Sequence, residues 1–310
     1  MKFYKIIAGV LLFTSFCYSQ ENGNDYKNEK LINKVKSVTT KHYEANLVDK
    51  KIIRLKRDKH VLNRKYRYDI YKKYDTRKKL IQTHKYHITG ELYLSTNFLF
   101  NEKQNNTEEI IEYPDGHKSK KTYEYNDKNY LIKKIIHGKN YLIVDTYKYD
   151  KNGNLITIYN TDENNSNKGK EIYKYDIKNQ LIKKGQYYSD GSFSYLWEYK
   201  YDEKGNKIIE IITGLYESLS RKKLFRYDNR NNLTRITIYD IKESLIGEEF
   251  YQFDSKNNII EERFSYPADK RNDLWNYKYE FDKNRNWIKR TSFKNNIVQF
   301  VTDRKIEYYE

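Results

Sequence analysis

The chain has 310 residues, of which 37% are hydrophobic and 33% are charged, and the hydrophobic share already contains 34 tyrosines. So few aliphatic residues argue against a tightly packed parallel α/β core, whereas an aromatic content of 16% argues against a disordered chain. The formal net charge of +17 favours anionic partners, and a single cysteine, Cys17, leaves no disulfide framework or thiolate metal site.

Residues 1–19 are predicted to be a signal peptide. Lys2 and Lys5 give it a charged start, an apolar stretch covers residues 6–16, and the small residue Ser19 precedes the expected cleavage point. The apolar stretch is too short to span a bilayer, so no transmembrane span is expected after removal of the signal. A lipoprotein attached at Cys17 is the alternative, disfavoured because a bulky Phe16 precedes the cysteine. We therefore expect export to the periplasm, the cell surface or the medium.

Residues 20–65 are expected to form a basic N-terminal cap region. Between Lys27 and Lys85 there are 20 Lys and Arg against 6 Asp and Glu. Such a patch can hold an anionic envelope polymer through counterion release, although a solvated basic face is the simpler interpretation. Nucleic acid is an improbable partner for an exported protein without a recognisable nucleic-acid-binding motif. The candidate patch consists of Lys50, Lys51, Arg54, Lys56, Arg57, Lys59, Arg64, Lys65 and Arg67.

Residues 66–310 form a repeat domain with a period of about 26 residues. Each copy reads aromatic, any residue, aromatic, Asp or Asn, a short turn and an apolar pair, as in YKYDKNGNLI from Tyr147 and YKYDIKNQLI from Tyr173. The step from one copy to the next departs from this period by two positions at most. The second aromatics of the nine copies are Tyr74, Phe100, Tyr125, Tyr149, Tyr175, Tyr201, Tyr227, Phe253 and Phe281.

Each copy is predicted to supply two strands. Aromatics two residues apart share one face of a strand, and a Gly or Asn three residues after the Asp suits the left-handed position of a bulged hairpin turn, a rule that Arg285 breaks. Because open sheets of about eighteen strands must curl or split, we predict an all-β antiparallel meander of about nine two-strand repeats, rolled into a curled or partly closed sheet. The structural turn residues are Asp150, Asp176, Asp202, Asp228, Asp254 and Asp282.

The aromatic-x-Tyr-Asp-x-x-Gly-Asn-Leu core, clearest from Tyr147 to Leu155, resembles the YD repeats of Rhs-type secreted and surface proteins of bacteria. The likeness covers residues 72–290. It implies a β-sheet shell and an association with carbohydrate. Long members of that family carry a toxin beyond the shell, and no toxin domain is expected here because only residues 288–310 follow the last copy.

No catalytic motif is recognisable in the sequence. The Asp turns lack the glutamate at the twelfth position of a calcium loop, and the six histidines are scattered, so no catalytic residue, cofactor or metal site is predicted.

Aromatic faces that can stack on sugar rings are the best functional candidates. They are Trp197, Trp275, Trp287, Tyr149, Tyr175 and Tyr201. The leading hypothesis is an exported non-enzymatic binding protein for glycan or another envelope component. Alternatives are a secreted enzyme of unrecognised type and a purely structural envelope protein.

Overall fold

The computed structural model describes residues 31–55 and 68–310. Residues 1–30, which include the predicted signal peptide, and residues 56–67 lie outside this part of the chain. No helix among the described residues is long and apolar enough to cross a bilayer. Within residues 31–55 and 68–310 the structure is all-β apart from two 3₁₀ turns, Glu217–Leu219 and Pro267–Asp269.

The strands of the first half alternate with short turns. They are β1 (Val35–Val48), β2 (Lys51–Arg54), β3 (Tyr68–Tyr74), β4 (Leu80–His87), β5 (Leu92–Phe100), β6 (Asn106–Glu112), β7 (Lys118–Tyr125), β8 (Leu131–His137), β9 (Leu142–Tyr149), β10 (Leu155–Asp162) and β11 (Asn167–Tyr175). Those of the second half are β12 (Leu181–Tyr187), β13 (Phe193–Tyr201), β14 (Lys207–Gly214), β15 (Arg221–Tyr227), β16 (Leu233–Tyr239), β17 (Leu245–Phe253), β18 (Ile259–Tyr266), β19 (Arg271–Phe281), β20 (Trp287–Lys294) and β21 (Ile297–Tyr308).

The sheet closes on itself. From β3 to β21 every strand pairs antiparallel with the next, and β1 pairs with β21 on one side and with β3 on the other. Twenty strands therefore form a β-barrel, while β2 lies outside the ring and pairs only with the end of β1. The prediction of a curled or partly closed sheet is wrong, because β1, which lacks the repeat pattern, fills the gap between the first and last repeat strands.

The Asp turns give the barrel its first rim. Each strand that carries the aromatic pair ends at an Asp or Asn, and a ladder irregularity follows, as between Leu155 and Thr157 opposite Tyr149 and Lys148. Gly153 and Asn179 have positive φ, and Arg285 adopts the same left-handed conformation at φ 66° in the last copy. All these turns lie at one end of the barrel, which we call the Asp-turn rim. The remaining turns lie at the other end, the far rim.

The densest apolar packing lies at the closing seam. Strands make their main contacts with their hydrogen-bonded neighbours. Val35, Val38, Tyr74 and Leu80 form a buried cluster where β1 meets β3 and β4, with Leu31 at its edge. A second cluster joins β1 to β21 through Ala45, Val298 and Val301. The seam is thus stabilised by apolar burial, whereas most of the ring relies on pairing between neighbouring strands.

Candidate functional site

The second aromatics of the copies line one face of the sheet, which we call the row face. Tyr149 and Tyr201, two of the predicted glycan contacts, use their hydroxyls within the sheet. Each donates to the carbonyl of the first residue of a strand in the preceding copy, at 2.8 Å to Leu131 and 2.7 Å to Leu181. Burial raises the pKa of the Tyr201 hydroxyl above its ordinary value. Tyr175 occupies the equivalent place at the end of β11. These tyrosines tie neighbouring copies together.

The last copy departs from the strict period, and the structure explains how. The step from Phe253 to Phe281 is two positions longer than the usual period, but Tyr279, two positions before Phe281, keeps that period. Tyr279 also makes the row hydrogen bond, at 2.9 Å to the carbonyl of Ile259. Trp275 therefore stands four residues before the row tyrosine, as Trp197 stands four residues before Tyr201.

The row face is the inner face of the barrel. Side chains on the concave side of a closed sheet crowd together, whereas those on the convex side splay apart. On the row face Glu109, Asp145 and Glu171 are only 3%, 6% and 4% exposed, whereas Lys174 and Glu198 on the opposite face are exposed. The sheet register places these two sets on different faces.

One position of the repeat varies along the inner face. It stands five residues before the turn Asp or Asn, or one period after Glu249 in the last copy. Its side chain is apolar, polar, acidic, basic or aromatic in different copies. We call this set the variable row. It comprises Ile70, Thr96, Lys121, Asp145, Glu171, Trp197, Lys223, Glu249 and Trp275.

From β6 to β12 the inner carboxylates are ion-paired. The Lys121 ammonium lies 2.8 Å from Glu109, Lys134 lies 2.5 Å from Asp145, and Lys184 lies 3.1 Å from Glu171. Tyrosine hydroxyls complete two of these clusters, because Tyr123 donates to Glu109 and Tyr173 donates to Glu171. Buried charges are tolerated where such partners are present.

In a second sector, across β17 to β19, tyrosine hydroxyls instead of ammonium groups contact the inner carboxylates. Glu249 accepts hydrogen bonds from the hydroxyls of Tyr251, at 2.5 Å, and Tyr266, and Glu262 accepts one from Tyr277 at 2.6 Å. Within the described residues neither glutamate forms an ion pair. Burial, reinforced by Glu249, raises the pKa of the Tyr266 hydroxyl to about 12.

The three tryptophans have different surroundings. Trp197 is half-buried on the inner face, and the Lys184 ammonium lies 5.2 Å from its ring centroid. Trp275, also half-buried, stacks on Phe300 with the ring centroids 6.2 Å apart. Trp287 is covered by Arg304, whose guanidinium carbon lies 3.5 Å from the ring centroid. Lys294 also lies 6.0 Å from the Trp275 ring centroid. Trp197 and Trp275 thus lie on the inner face away from the Asp-turn rim, while Trp287 packs at that rim.

Each Asp turn is held by its own carboxylate. In the copy at Asp150, one carboxylate oxygen accepts the backbone N–H groups of Asn152 and Asn154, and the other accepts the Asn154 side-chain amide. The hydrogen bond from the Asn154 side chain, followed by the backbone donors, lowers the pKa of Asp150 below its ordinary value. Asn154 also donates to Asn179 of the next turn, at 2.9 Å. The carboxylate likewise accepts the backbone N–H of the residue four positions later at Asp176, Asp202, Asp228, Asp254 and Asp282.

Only part of the basic patch is described. Lys50 and Lys51 are exposed in the turn and strand of the β1–β2 hairpin at the far rim, and Arg54 pairs with Asp303 at 2.8 Å. Lys56, Arg57, Lys59, Arg64, Lys65 and Arg67 lie outside the described residues.

Sequence reasoning missed the inner ion pairs and the sector around Glu249 and Glu262. Aligning the copies would have exposed the variable row, because its residue type changes while the position two residues later is aromatic in most copies. The lysines that pair with these carboxylates could not be identified by such an alignment. Lys134 and Lys184 lie on the strands that follow the Asp turns, where the repeat pattern is weak.

No known family model matches the chain, and no curated protein sequence does. Among solved structures it is similar to TcdB2-TccC3-Cdc42, with a TM-score of 0.39 and 13% identity over 89% of this chain and 18% of that one. It is also similar to porin-like proteins from Bacteroides uniformis, with a TM-score of 0.35 and 11% identity, and Bacteroides vulgatus, with a TM-score of 0.29 and 12% identity. Both likenesses cover 89% of this chain and 99% of the other. The chain thus spans less than a fifth of the toxin chain that it matches.

Proposed function

We propose that this protein is an exported, non-enzymatic binding protein whose inner face holds a glycan chain or another polymer of the cell envelope. The observation that carries the proposal is the variable row. In a repeat that mostly keeps its aromatic pair and its Asp turn, this position holds two tryptophans, three acidic and two basic side chains, an isoleucine and a threonine. An inner surface whose side chains change along the period suits a chain-like ligand better than a compact substrate.

The spacing of Trp197 and Trp275 on the inner face favours a polymer. Trp197 lies on β13 and Trp275 on β19, six strands apart in the ring. At the usual separation of neighbouring strands this is about 29 Å measured along the sheet. A ligand that touches both rings must therefore be extended.

The chemistry of the inner face suits a sugar chain. Indole faces stack on sugar rings, and between the tryptophans the carboxylates of Glu249 and Glu262 and the tyrosine hydroxyls offer donors and acceptors to sugar hydroxyls. Glu249 and Glu262, which lack a basic partner among the described residues, are the carboxylates most available to accept such hydrogen bonds. The resemblance of the YKYDKNGNL core to the YD repeats of Rhs-type proteins supports carbohydrate as the ligand class.

A glycan array probed with the purified protein tests the proposal. We expect retention of one class of extended glycan, and a loss of affinity of about tenfold for Trp197→Ala and for Trp275→Ala, since central aromatic contacts are worth more than about 1 kcal/mol. Tyr159→Ala is the matched control, because Tyr159 is an exposed aromatic on the outer face. Binding that both tryptophan variants retain in full, or an array without a bound glycan, would contradict the proposal.

A further inference from the structure

The exposed apolar side chains of the described residues are distributed unevenly between the two rims. The Asp-turn rim presents Ile177 in its turns, with Ile32 and Leu99 nearby. The far rim presents exposed apolar side chains on more of its turns, namely on the hairpins β1–β2, β4–β5, β8–β9, β12–β13, β14–β15, β16–β17 and β20–β21. Among these, Tyr216 and Ile297 keep 67% and 65% of their surface exposed. An apolar ring around one end of a barrel marks an interaction surface.

The β1–β2 hairpin makes the largest contribution. β1 pairs with β21 only as far as Glu44, and its last four residues pair with β2, so the hairpin stands on the rim beside the ring. Leu47, Val48, Ile52 and Ile53 are all exposed on it. Exposed Asp49, Lys50 and Lys51 lie at its tip, and the two lysines, which outnumber the aspartate, form no ion pair among the described residues.

The far rim is charged in opposite senses on its two sides. Counting around the ring, β12 stands ten strands from β1 in either direction, so the turns next to it are diametrically opposite the hairpin. Those turns are acidic. Within the described residues Glu163 of the β10–β11 turn and Asp190 of the β12–β13 turn form no ion pair, while Asp162 pairs with Lys168 at 2.9 Å.

We propose that the far rim is the interface of a symmetric dimer in which two barrels meet end to end. A two-fold axis in the plane of the rim, perpendicular to the line from the hairpin to β12, sets the basic hairpin of each copy on the acidic turns of the other. The contact is isologous, so one surface complements itself and the assembly closes at two copies. The apolar ring supplies the buried area, and tyrosines such as Tyr141, Tyr188 and Tyr216 are typical of interface cores.

A second copy fits this rim better than a lipid surface does. Anionic headgroups attract clustered basic residues and repel acidic ones, and the turns from β10 to β17 place their carboxylates on the same rim as the apolar side chains. A second copy instead meets those carboxylates with Lys50 and Lys51.

Sedimentation velocity on the purified full chain across a range of concentrations tests this interface. We expect a reversible monomer–dimer equilibrium. Tyr216→Glu with Ile297→Glu should raise the dissociation constant by at least about a hundredfold, since each residue occurs twice in the interface. Ile177→Glu is the matched control, because Ile177 is a fully exposed isoleucine on the Asp-turn rim, and it should leave the constant unchanged. Circular dichroism melts show whether each variant folds.

Reversing the charges of the hairpin and of the acidic turns tests whether the two regions face each other in the dimer. Lys50→Glu with Lys51→Glu should weaken the dimer, and so should Glu163→Lys with Asp190→Lys. Mixing the two variants should restore it, because the mixed pair carries attractive charges at both contacts. A wild-type chain that stays monomeric, an Ile177→Glu variant that dissociates as readily as the rim variant, or a mixture that fails to reassociate would overturn the proposal. So would a monomer that floats with vesicles of phosphatidylcholine and phosphatidylglycerol.

Discussion

Lys183 and Lys184 are neighbours on β12, and each pairs with a glutamate, yet the two ion pairs lie in different environments. Lys184 faces inward with Glu171, and their side chains are 16% and 5% exposed. Lys183 faces outward with Glu198, and their side chains are 53% and 52% exposed. Exposed pairs contribute little to stability, whereas removing one partner of a buried pair leaves an uncompensated charge. The buried ion pair on the inner face therefore contributes to the stability of the fold, whereas the exposed pair on the outer face is solvated and contributes little.

The largest expected effect comes from changing the number of strands from even to odd. An antiparallel ring, and with it an inner and an outer face, requires an even number. Deleting Asp176–Tyr201, one full period, joins Tyr175 to Asp202 and leaves an 18-strand ring that can still close antiparallel. Deleting Asp176–Tyr188 removes β12 alone and leaves 19 strands, an odd number that cannot close in this way. Circular dichroism melts should show a cooperative transition for the first deletion and aggregation or a lost transition for the second. Equal damage from both would contradict the ring.

The pair on β12 supports a direct comparison of the two faces. Lys184→Met keeps the aliphatic stem but leaves Glu171 buried without its ammonium partner, and we expect it to lower the free energy of unfolding by about 2–4 kcal/mol. Lys183→Met, the matched outer change, should lower it by less than about 1 kcal/mol. Urea titration of both variants measures the difference. Similar losses at the two sites would mean that the row face is not the inner one.

The smallest effect is expected at the rim, where the carboxylates are exposed. Side-chain and backbone hydrogen bonds lower the pKa of Asp150, Asp202 and Asp228 below the ordinary value. Their contribution is thus complete above the unfolded pKa of about 4 and is lost as the pH falls through the lower folded pKa. The melting temperature should fall over that acidic window.

The triple variant Asp150→Asn, Asp202→Asn, Asp228→Asn isolates these carboxylates. It should melt at a lower temperature at neutral pH and show a flatter pH dependence in the same window. Asn126 occupies the turn position in another copy, and its side-chain oxygen accepts the Tyr130 N–H at 2.9 Å. Because asparagine can make this turn contact, the variant should fold. A pH dependence as steep as that of the wild type would assign the acid sensitivity to other groups.

The repeats could be predicted from sequence because their information is local. The aromatic pair, the Asp and the left-handed residue of each turn lie within six residues of one another, and Arg285 adopts the left-handed conformation where the residue rule fails. Closure could not be predicted in this way. β1 lacks the repeat pattern, and its partners lie far along the chain, as with Tyr43 opposite Val301. The inner ion pairs were missed because each joins a repeat position to a strand of variable sequence.

The central claim is that β1 closes the ring, and Thr39 tests it directly because it has partners on both sides. It stands opposite Lys305 of β21 and opposite Tyr71 of β3. Facing residues of antiparallel strands lie within the range of Cα separations that a disulfide spans. In a Cys17→Ser background, Thr39→Cys with Lys305→Cys and Thr39→Cys with Tyr71→Cys should both form disulfides under mild oxidation, scored by mass spectrometry of proteolytic fragments. A disulfide in only one of the two variants would mean that the sheet is open at β1.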